Sequence, residues 1–418
     1  MMAEGVSPPR FLGAGGPPPL VVAWETTRAC PLACRHCRAA AQHHAHPSEL
    51  TTAEGRALMD DLARGFPGAM IILTGGEPLT RPDTLELAAY GTALGLRVAL
   101  SVDVGRLLTP QRCREIRAAG VLAVSFSLHF PDPARSDAFA STPGFHEGAL
   151  EGLANLRAAG QHFQLHTTVM RSNAALLPRM HRLVGDLGAG AWELFFLVPT
   201  GRGRLLASEE LSPQEQERVL RWLYRLQRHS PFPVKQICAP HFRRIEVLEA
   251  RRRGERRPER LGLRLGTLSR GCLSGNGFCF VSHVGDVCGC GFLPLSVGNV
   301  RDRSFSAIYT EAPLFQAFRD PAMLGGDCGA CTFAALCGGC RARAYAATGD
   351  PLAEEPDCAF APGRNLNRSS LRAGPRVASQ QCGLTAGDGV RVSDRTISGC
   401  DAAARAIAGQ RRALTVEG

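Results

Sequence analysis

Lysine is all but missing from this chain. Lys235 is the one lysine among 48 lysine and arginine residues, so the other 47 are arginine. Such a skew follows from genomic base composition more readily than from function. The formal net charge is +10, and a basic chain raises the expectation of a nucleic-acid partner. The sequence lacks what that partner would need. It has no recognised nucleic-acid motif, and its aromatic residues (6%) form no stacking cluster. We therefore expect no nucleic acid. The charge is assigned to an anionic small substrate, because the planar fork of arginine suits carboxylates and phosphates.

Long hydrophobic runs are also missing. None reaches the roughly 18 residues of a membrane span. Residues 1–19 are rich in glycine and proline without a basic start and an apolar stretch, so no signal peptide is expected. Sixteen cysteines without an export signal point to a reducing, cytoplasmic compartment and to metal or cluster ligation. At 418 residues there is room for two or three domains.

Three of the cysteines crowd into Cys30-Pro31-Leu32-Ala33-Cys34-Arg35-His36-Cys37. A compact loop with these gaps can bring three thiolates onto one iron–sulfur cube, whose irons prefer cysteine. One iron then has no protein ligand and is open to a small molecule. The loop follows an apolar run, residues 20–25, which reads as a buried strand. A reactive loop just past a strand's C-terminal end is where a β/α barrel keeps its chemistry. A zinc site is the alternative. It would need a fourth ligand, and His36, His43, His44 and His46 are near. A second turn, Thr74-Gly75-Gly76-Glu77-Pro78, follows the apolar run 69–73, and its glycines allow close backbone approach to a ligand.

From residue 20 to about 230, apolar runs alternate with amphipathic stretches. The pattern predicts strands at 20–25, 69–74, 97–103, 122–128, 163–169 and 192–198. It predicts helices at 51–65, 82–94, 110–119, 145–159, 174–187 and 212–229. Six βα units in a row imply a parallel sheet. Residues 249–264 are arginine-rich and read as a solvated connector. Cysteines return as Cys272, Cys279, Cys288 and Cys290, then Cys328, Cys331, Cys337, Cys340 and Cys358. The Cys-x2-Cys spacings are compatible with a zinc ribbon as well as with clusters.

The Cys-x3-Cys-x2-Cys loop, followed one strand and one helix later by Gly-Gly-Glu-Pro, resembles the signature of the radical S-adenosylmethionine (SAM) superfamily. The resemblance implies an α/β fold, a partial (β/α)6 barrel. It implies a [4Fe-4S] cluster on Cys30, Cys34 and Cys37, with S-adenosyl-L-methionine at the open iron and Gly75, Gly76, Glu77 and Pro78 around its amino group. The later cysteines resemble the SPASM extension of such enzymes, which holds one or two auxiliary [4Fe-4S] clusters. That implies Cys328, Cys331, Cys337 and Cys358 on one cluster, and Cys272, Cys279, Cys290 and Cys340 on the other. Gly285-x4-Cys290 favours Cys290 over Cys288. The gap between Cys337 and Cys340 is one residue shorter than usual. The implied domains are a flexible segment 1–19, a barrel 20–232, a connector 233–267, a cysteine-rich extension 268–362 and a disordered tail 363–418.

Longer blocks over residues 20 to 362 resemble the radical SAM subgroup that modifies tetrapyrrole side chains. Among them are Ala23-Trp24-Glu25-Thr26-Thr27-Arg28, Leu197-Val198-Pro199-Thr200-Gly201-Arg202 and Cys238-Ala239-Pro240-His241-Phe242. Arg270-Gly271-Cys272-Leu273 and Cys337-Gly338-Gly339-Cys340-Arg341 are others. The implied reaction is oxidative decarboxylation of porphyrin propionates, as in iron-coproporphyrin III to haem. In it, reductive cleavage of SAM gives a 5′-deoxyadenosyl radical that abstracts hydrogen. The implied partners are an anionic tetrapyrrole and a reduced flavodoxin or ferredoxin-type electron donor. Arg202, Arg243 and Arg244 are candidates by position for substrate carboxylates, and His241 for the tetrapyrrole iron. His129-Phe130 stands where the subgroup usually has Asp-Gly. Two alternatives remain: a radical SAM peptide maturase, against which the short stretch before the first strand counts, and a zinc or cluster scaffold that binds a partner.

Overall fold

The first strand, β1 (Val21–Thr27), lies well inside the sheet. Its parallel neighbours are β2 (Met70–Gly75) on one side and β8 (Phe278–Val281) on the other. Beyond β2 follow β3 (Arg97–Val102), β4 (Ala123–Ser127), β5 (Phe163–Val169), β6 (Trp192–Phe196) and β7 (Val234–Ile237), each parallel to the last. Beyond β8, the antiparallel β9 (Asp286–Cys290) and β10 (Leu293–Asn299) complete ten strands in the order β10-β9-β8-β1-β2-β3-β4-β5-β6-β7. The cysteine-rich extension thus continues the barrel's own sheet. This computed structural model describes residues 17–254 and 270–362.

Helices connect the parallel strands: α1 (Thr52–Gly65), α2 (Thr84–Ala93), α3 (Pro110–Ala118), α4 (Pro133–Ala140), α5 (Phe145–Ala158), α6 (Leu177–Leu187) and α7 (Pro213–Gln227). Their starts follow local chemistry. Thr51 accepts from Glu54 N–H while the Glu54 carboxylate takes the Thr51 N–H, and Ser212 and Glu215 repeat the arrangement. Alternation along each strand sends Val22, Trp24, Ile71, Leu73, Val98 and Leu100 to the helix-covered face, where all are buried. Truncating one of these aliphatic residues to alanine should cost about 2–5 kcal/mol.

The six expected βα units are present. Part of the expected connector 233–267 is structured instead, as β7 and α8 (Phe242–Arg252). β7 is four residues long and includes the polar Lys235 and Gln236, so it gave no apolar run. In α8 the apolar residues Phe242, Ile245 and Ala250 are buried among arginines that dominate the sequence reading. The short α4 was not anticipated either; Asp132 caps it by accepting from Arg135 N–H at 3.1 Å. The extension adds α9 (Phe305–Glu311), α10 (Pro313–Arg319), α11 (Gly326–Gly329), α12 (Ala334–Cys337) and α13 (Arg341–Thr348). α9 docks on α1 through Ser306 N–H to Asp61 Oδ2 at 2.8 Å. The expectations for 1–16 and 363–418, like most of the arginine-rich run, lie outside the described residues.

Candidate active site and cysteine clusters

Parallel order brings the C-terminal ends of β1 to β6 to one side, and the cysteine loop leaves β1 there. Backbone bonds shape it. Cys30 N–H donates to Gln42 O at 2.7 Å and Cys37 N–H to Cys34 O at 3.2 Å. Two N–H groups point at sulfur, Leu32 at Cys30 Sγ and Ala41 at Cys37 Sγ, each at 3.4 Å. Arg202, in the 3₁₀ segment Gly201–Glu209 after β6, clamps the loop from the far strand. Its Nε donates to Cys34 O at 2.9 Å, its Nη1 to Ala41 O at 3.0 Å and its N–H to Cys37 O at 3.0 Å. Gly201 takes φ +58°, and a Cβ on it would stand 2.2 Å from Arg38 O.

The glycine turn after β2 presses on the same loop. A Cβ on Gly76 would stand 2.3 Å from Ala29 O, so only glycine lets the two backbones meet. Glu77 N–H donates to Ala29 O at 2.7 Å. The Glu77 side chain is fully buried and accepts from the N–H groups of Leu79 (3.1 Å), Asp103 (2.8 Å) and Val104 (2.9 Å). It thus ties the β2 turn to the end of β3. Burial pushes its carboxyl up to about 8 against the pull of those bonds, and the Asp103 charge adds to the rise. Burial also pushes the Cys30 thiol up to about 12, with Glu77 and Asp103 contributing. Cys34 rises for the same reasons, burial first and then Asp103, with Arg202 opposing.

This donor set suits positive charge. Iron holds coordinated thiols deprotonated, and a cationic group bound beside Glu77 and Asp103 would favour the ionised forms that burial disfavours. Asp103 was not among the sequence candidates. Its signal was its place, one residue past β3, where a barrel strand hands its next side chain to the site.

A cavity of about 320 Å³ opens beside the loop, lined by Arg35, Phe130, Arg135, Phe139, Leu206 and Glu209, with Ala138 and Ser172. The His129-Phe130 departure therefore faces the site. His129 is buried, accepts from Thr168 N–H at 3.0 Å and stands edge-on to His36, with ring centres 4.3 Å apart. His36 stacks on Phe139 at 4.9 Å. Burial, with Arg202 adding to it, takes His36 down to about 4; burial, with His36 and His166 adding to it, takes His129 well below the ordinary range. Both rings are held neutral behind Phe130 and Phe139, which line the cavity. The substrate candidates Arg202, Arg243, Arg244 and His241 are absent from this lining. Arg202 is committed to the cysteine loop, Arg243 pairs with Glu246 at 3.0 Å and the buried Arg244 with Glu217 at 2.6 Å. Arg35 and Arg135, overlooked in the sequence, face the cavity instead.

The later cysteines form two groups. Cys328, Cys331, Cys337 and Cys358 all line one cavity of about 260 Å³, together with His241, Arg244, Phe333 and Phe360. Glu355 N–H donates to Cys328 Sγ at 3.3 Å and Phe333 N–H to Cys331 Sγ at 3.4 Å. In the other group the charge of Cys340 raises the thiols of Cys238, Cys272 and Cys290 alike, which places these four near one another. Cys238 has φ +59°, a left-handed backbone rare for a residue with a side chain. Cys279, expected here, is fully buried in β8, and its thiol donates to Cys288 O at 3.2 Å. Strand alternation sends Cys279 to the opposite face from Phe280 and its cross-strand partner Cys288. Cys238 thus stands beside Cys340, while Cys279 keeps its thiol on Cys288 O and responds to the charge of Cys290. Among the described residues no three His, Cys, Asp or Glu side chains converge closely enough for a single metal ion; a cube is wider than an ion and takes its thiols further apart.

The fold and the cysteine loop define a radical SAM protein. The profile of the radical SAM superfamily matches residues 24–174, and that of the SPASM iron-sulfur cluster-binding domain matches residues 272–340. The chain is 45% identical over 348 residues to the AdoMet-dependent heme synthase of Methanosarcina barkeri, spanning 83% of this chain and 98% of that protein. It is 43% identical to the protein of the same name from Nitratidesulfovibrio vulgaris, spanning 85% and 96%. The chain belongs to the radical SAM superfamily and carries its SPASM extension. Among solved structures, SuiB of Streptococcus suis bound to precursor peptide SuiA superposes with a TM-score of 0.64 at 13% identity, covering 82% of this chain and 76% of that one. That likeness shows the fold. The cofactors of such a protein are SAM, a [4Fe-4S] cluster and additional iron–sulfur clusters.

Proposed function

We propose that this protein oxidatively decarboxylates the propionate side chains of a tetrapyrrole, converting iron-coproporphyrin III to haem. The observation that carries the reading is the match across 98% of a protein named AdoMet-dependent heme synthase. The cavity beside the cysteine loop supports it. Phe130, Phe139 and Leu206 offer apolar area to a flat ring, and Arg35 and Arg135 offer forks for its carboxylates.

With a cluster bound, Cys30, Cys34 and Cys37 hold the group that splits SAM reductively and so supplies a hydrogen-abstracting radical. The protein's share is placement. Arg202, Gly76 and the sulfur-directed N–H groups fix the loop, and Glu77 ties the glycine turn beside it to the end of β3. Each propionate loses one hydrogen atom, carbon dioxide and one further electron to become a vinyl group. The cysteine groups of the extension offer that electron an acceptor. Their proposed ligand sets are Cys328, Cys331, Cys337 and Cys358 for one cluster and Cys238, Cys272, Cys290 and Cys340 for the other. A reduced flavodoxin or ferredoxin-type donor and a cytoplasmic location complete the reading. Among the described residues no helix is long and apolar enough to cross a membrane.

The test is anaerobic turnover of iron-coproporphyrin III by the reconstituted protein, followed by mass spectrometry. Stepwise loss of two formic acid equivalents supports the reading. An unchanged porphyrin with SAM consumed would move the substrate elsewhere.

A further inference from the structure

His241 has no partner for either ring nitrogen, although it is only 1% exposed. An imidazole buried this way normally finds at least one hydrogen bond, because an unmade one costs about 1–3 kcal/mol. The ring lines the cavity that also holds Cys328, Cys331, Cys337 and Cys358. It stands at the start of α8, just after β7, so the barrel holds it rigidly against the extension. The carboxylates around it are already engaged. Glu217 is held by Arg244 and Arg221, and Glu355 by Arg343 at 3.1 Å and by Cys340 N–H at 2.5 Å. With neither ring nitrogen engaged, the imidazole has an N–H to give to the cavity.

A four-thiolate cluster in this cavity would bring an excess of negative charge and bare sulfur acceptors. Sulfurs of such clusters take N–H bonds, which help set the reduction potential. We propose that His241 donates its ring N–H to a sulfur of the auxiliary cluster held by Cys328, Cys331, Cys337 and Cys358, and so raises that cluster's reduction potential. The sulfur acceptor fixes the tautomer. Arg244, 5.0 Å from the Phe360 ring and paired with Glu217, supports the same wall by charge. His241 is thus a positioning and tuning residue for the electron acceptor, and its expected role as a ligand to the tetrapyrrole iron is replaced. The proposal rests on the cluster assignment made above.

The experiment compares the reconstituted full chain with His241→Leu and His241→Gln. Iron per chain is measured first. An EPR-monitored redox titration follows, with SAM added to identify the signal of the SAM-binding cluster. The expected result is full iron in both variants, a lower midpoint for the auxiliary cluster in His241→Leu, and a midpoint near the parent's in His241→Gln, which keeps an N–H donor. A tenfold change in the ratio of oxidised to reduced cluster corresponds to about 59 mV. An unchanged midpoint in His241→Leu overturns the proposal. Loss of one cluster's iron in both variants also overturns it, making His241 a ligand or a packing element. A parent protein that binds iron only at the SAM-binding cluster overturns the cluster assignment itself, and this is read before any variant is compared.

Discussion

Arg343 Nη2 donates to the carbonyl oxygen of Cys238 at 3.1 Å. The same guanidinium is buried and reaches Glu355 at 3.1 Å, Asp357 at 2.8 Å and Leu197 O at 3.1 Å. One side chain of the extension thus holds a residue just past β7, the end of β6 and two acidic residues beside Cys358. Burial alone would weaken the Arg343 charge, but Glu355, Cys340 and Asp357 more than restore it. The left-handed backbone of Cys238 is held by this contact, and strain of this kind persists where the surroundings over-determine it.

Cys238→Ala should therefore lose one auxiliary cluster, about four iron atoms per chain, whereas Cys279→Ala should keep its iron. Iron and sulfide assays on anaerobically reconstituted protein compare the two. The reverse outcome would restore Cys279 to the ligand set.

Arg202→Ala removes two charged hydrogen bonds to the carbonyls of the cysteine loop. We expect about 2–4 kcal/mol less stability and loss of iron from the SAM-binding cluster before the others, with SAM cleavage falling in step. If substrate KM alone changed, Arg202 would be a substrate contact after all.

Arg35→Ala and Arg135→Ala should each raise the KM for the porphyrin about tenfold, equal to about 1.4 kcal/mol. SAM cleavage without substrate should stay near the parent's rate. Titration of the porphyrin's absorbance checks binding directly; unchanged affinity in both variants would remove this cavity from substrate binding.

Glu193 gives a pH prediction away from the cysteines. It pairs across three strands with Lys235 at 2.9 Å and His166 at 3.3 Å. Burial raises its carboxyl, but the hydrogen bond and charge of His166 and the charge of Lys235 overcome this and take it down to about 2. A carboxyl lowered in the folded state stabilises the protein above its unfolded value, near 4.5, and the gain fades as pH falls toward 2. Glu193→Gln should be less stable by on the order of 3 kcal/mol at pH 7. The gap should close as the pH is lowered below about 4.5, as read by paired denaturant titrations. A gap independent of pH would assign the effect to packing.

The six βα units were legible because buried parallel strands are short apolar runs and helices carry caps, as at Thr51 and Ser212. The cysteine loop and the glycine turn were legible as spacing. The approach of Cys238 to Cys340 was not. Cys238 lies more than thirty residues before Cys272, and only the fold of β7 onto β6 brings it to Cys340. Nor could the arginines be sorted by sequence, since 47 of them look alike. Their roles depend on which carbonyl or carboxylate each one meets. Arg202 met a backbone loop, Arg244 met Glu217, and Arg35 and Arg135 were left facing a cavity.

The most direct measurement of the central claim is the stoichiometry of 5′-deoxyadenosine to haem in one anaerobic reaction with iron-coproporphyrin III. The account predicts two equivalents of 5′-deoxyadenosine for each haem formed, with both products abolished in Cys34→Ala. Haem formed without 5′-deoxyadenosine, or by the Cys34→Ala protein, would contradict it.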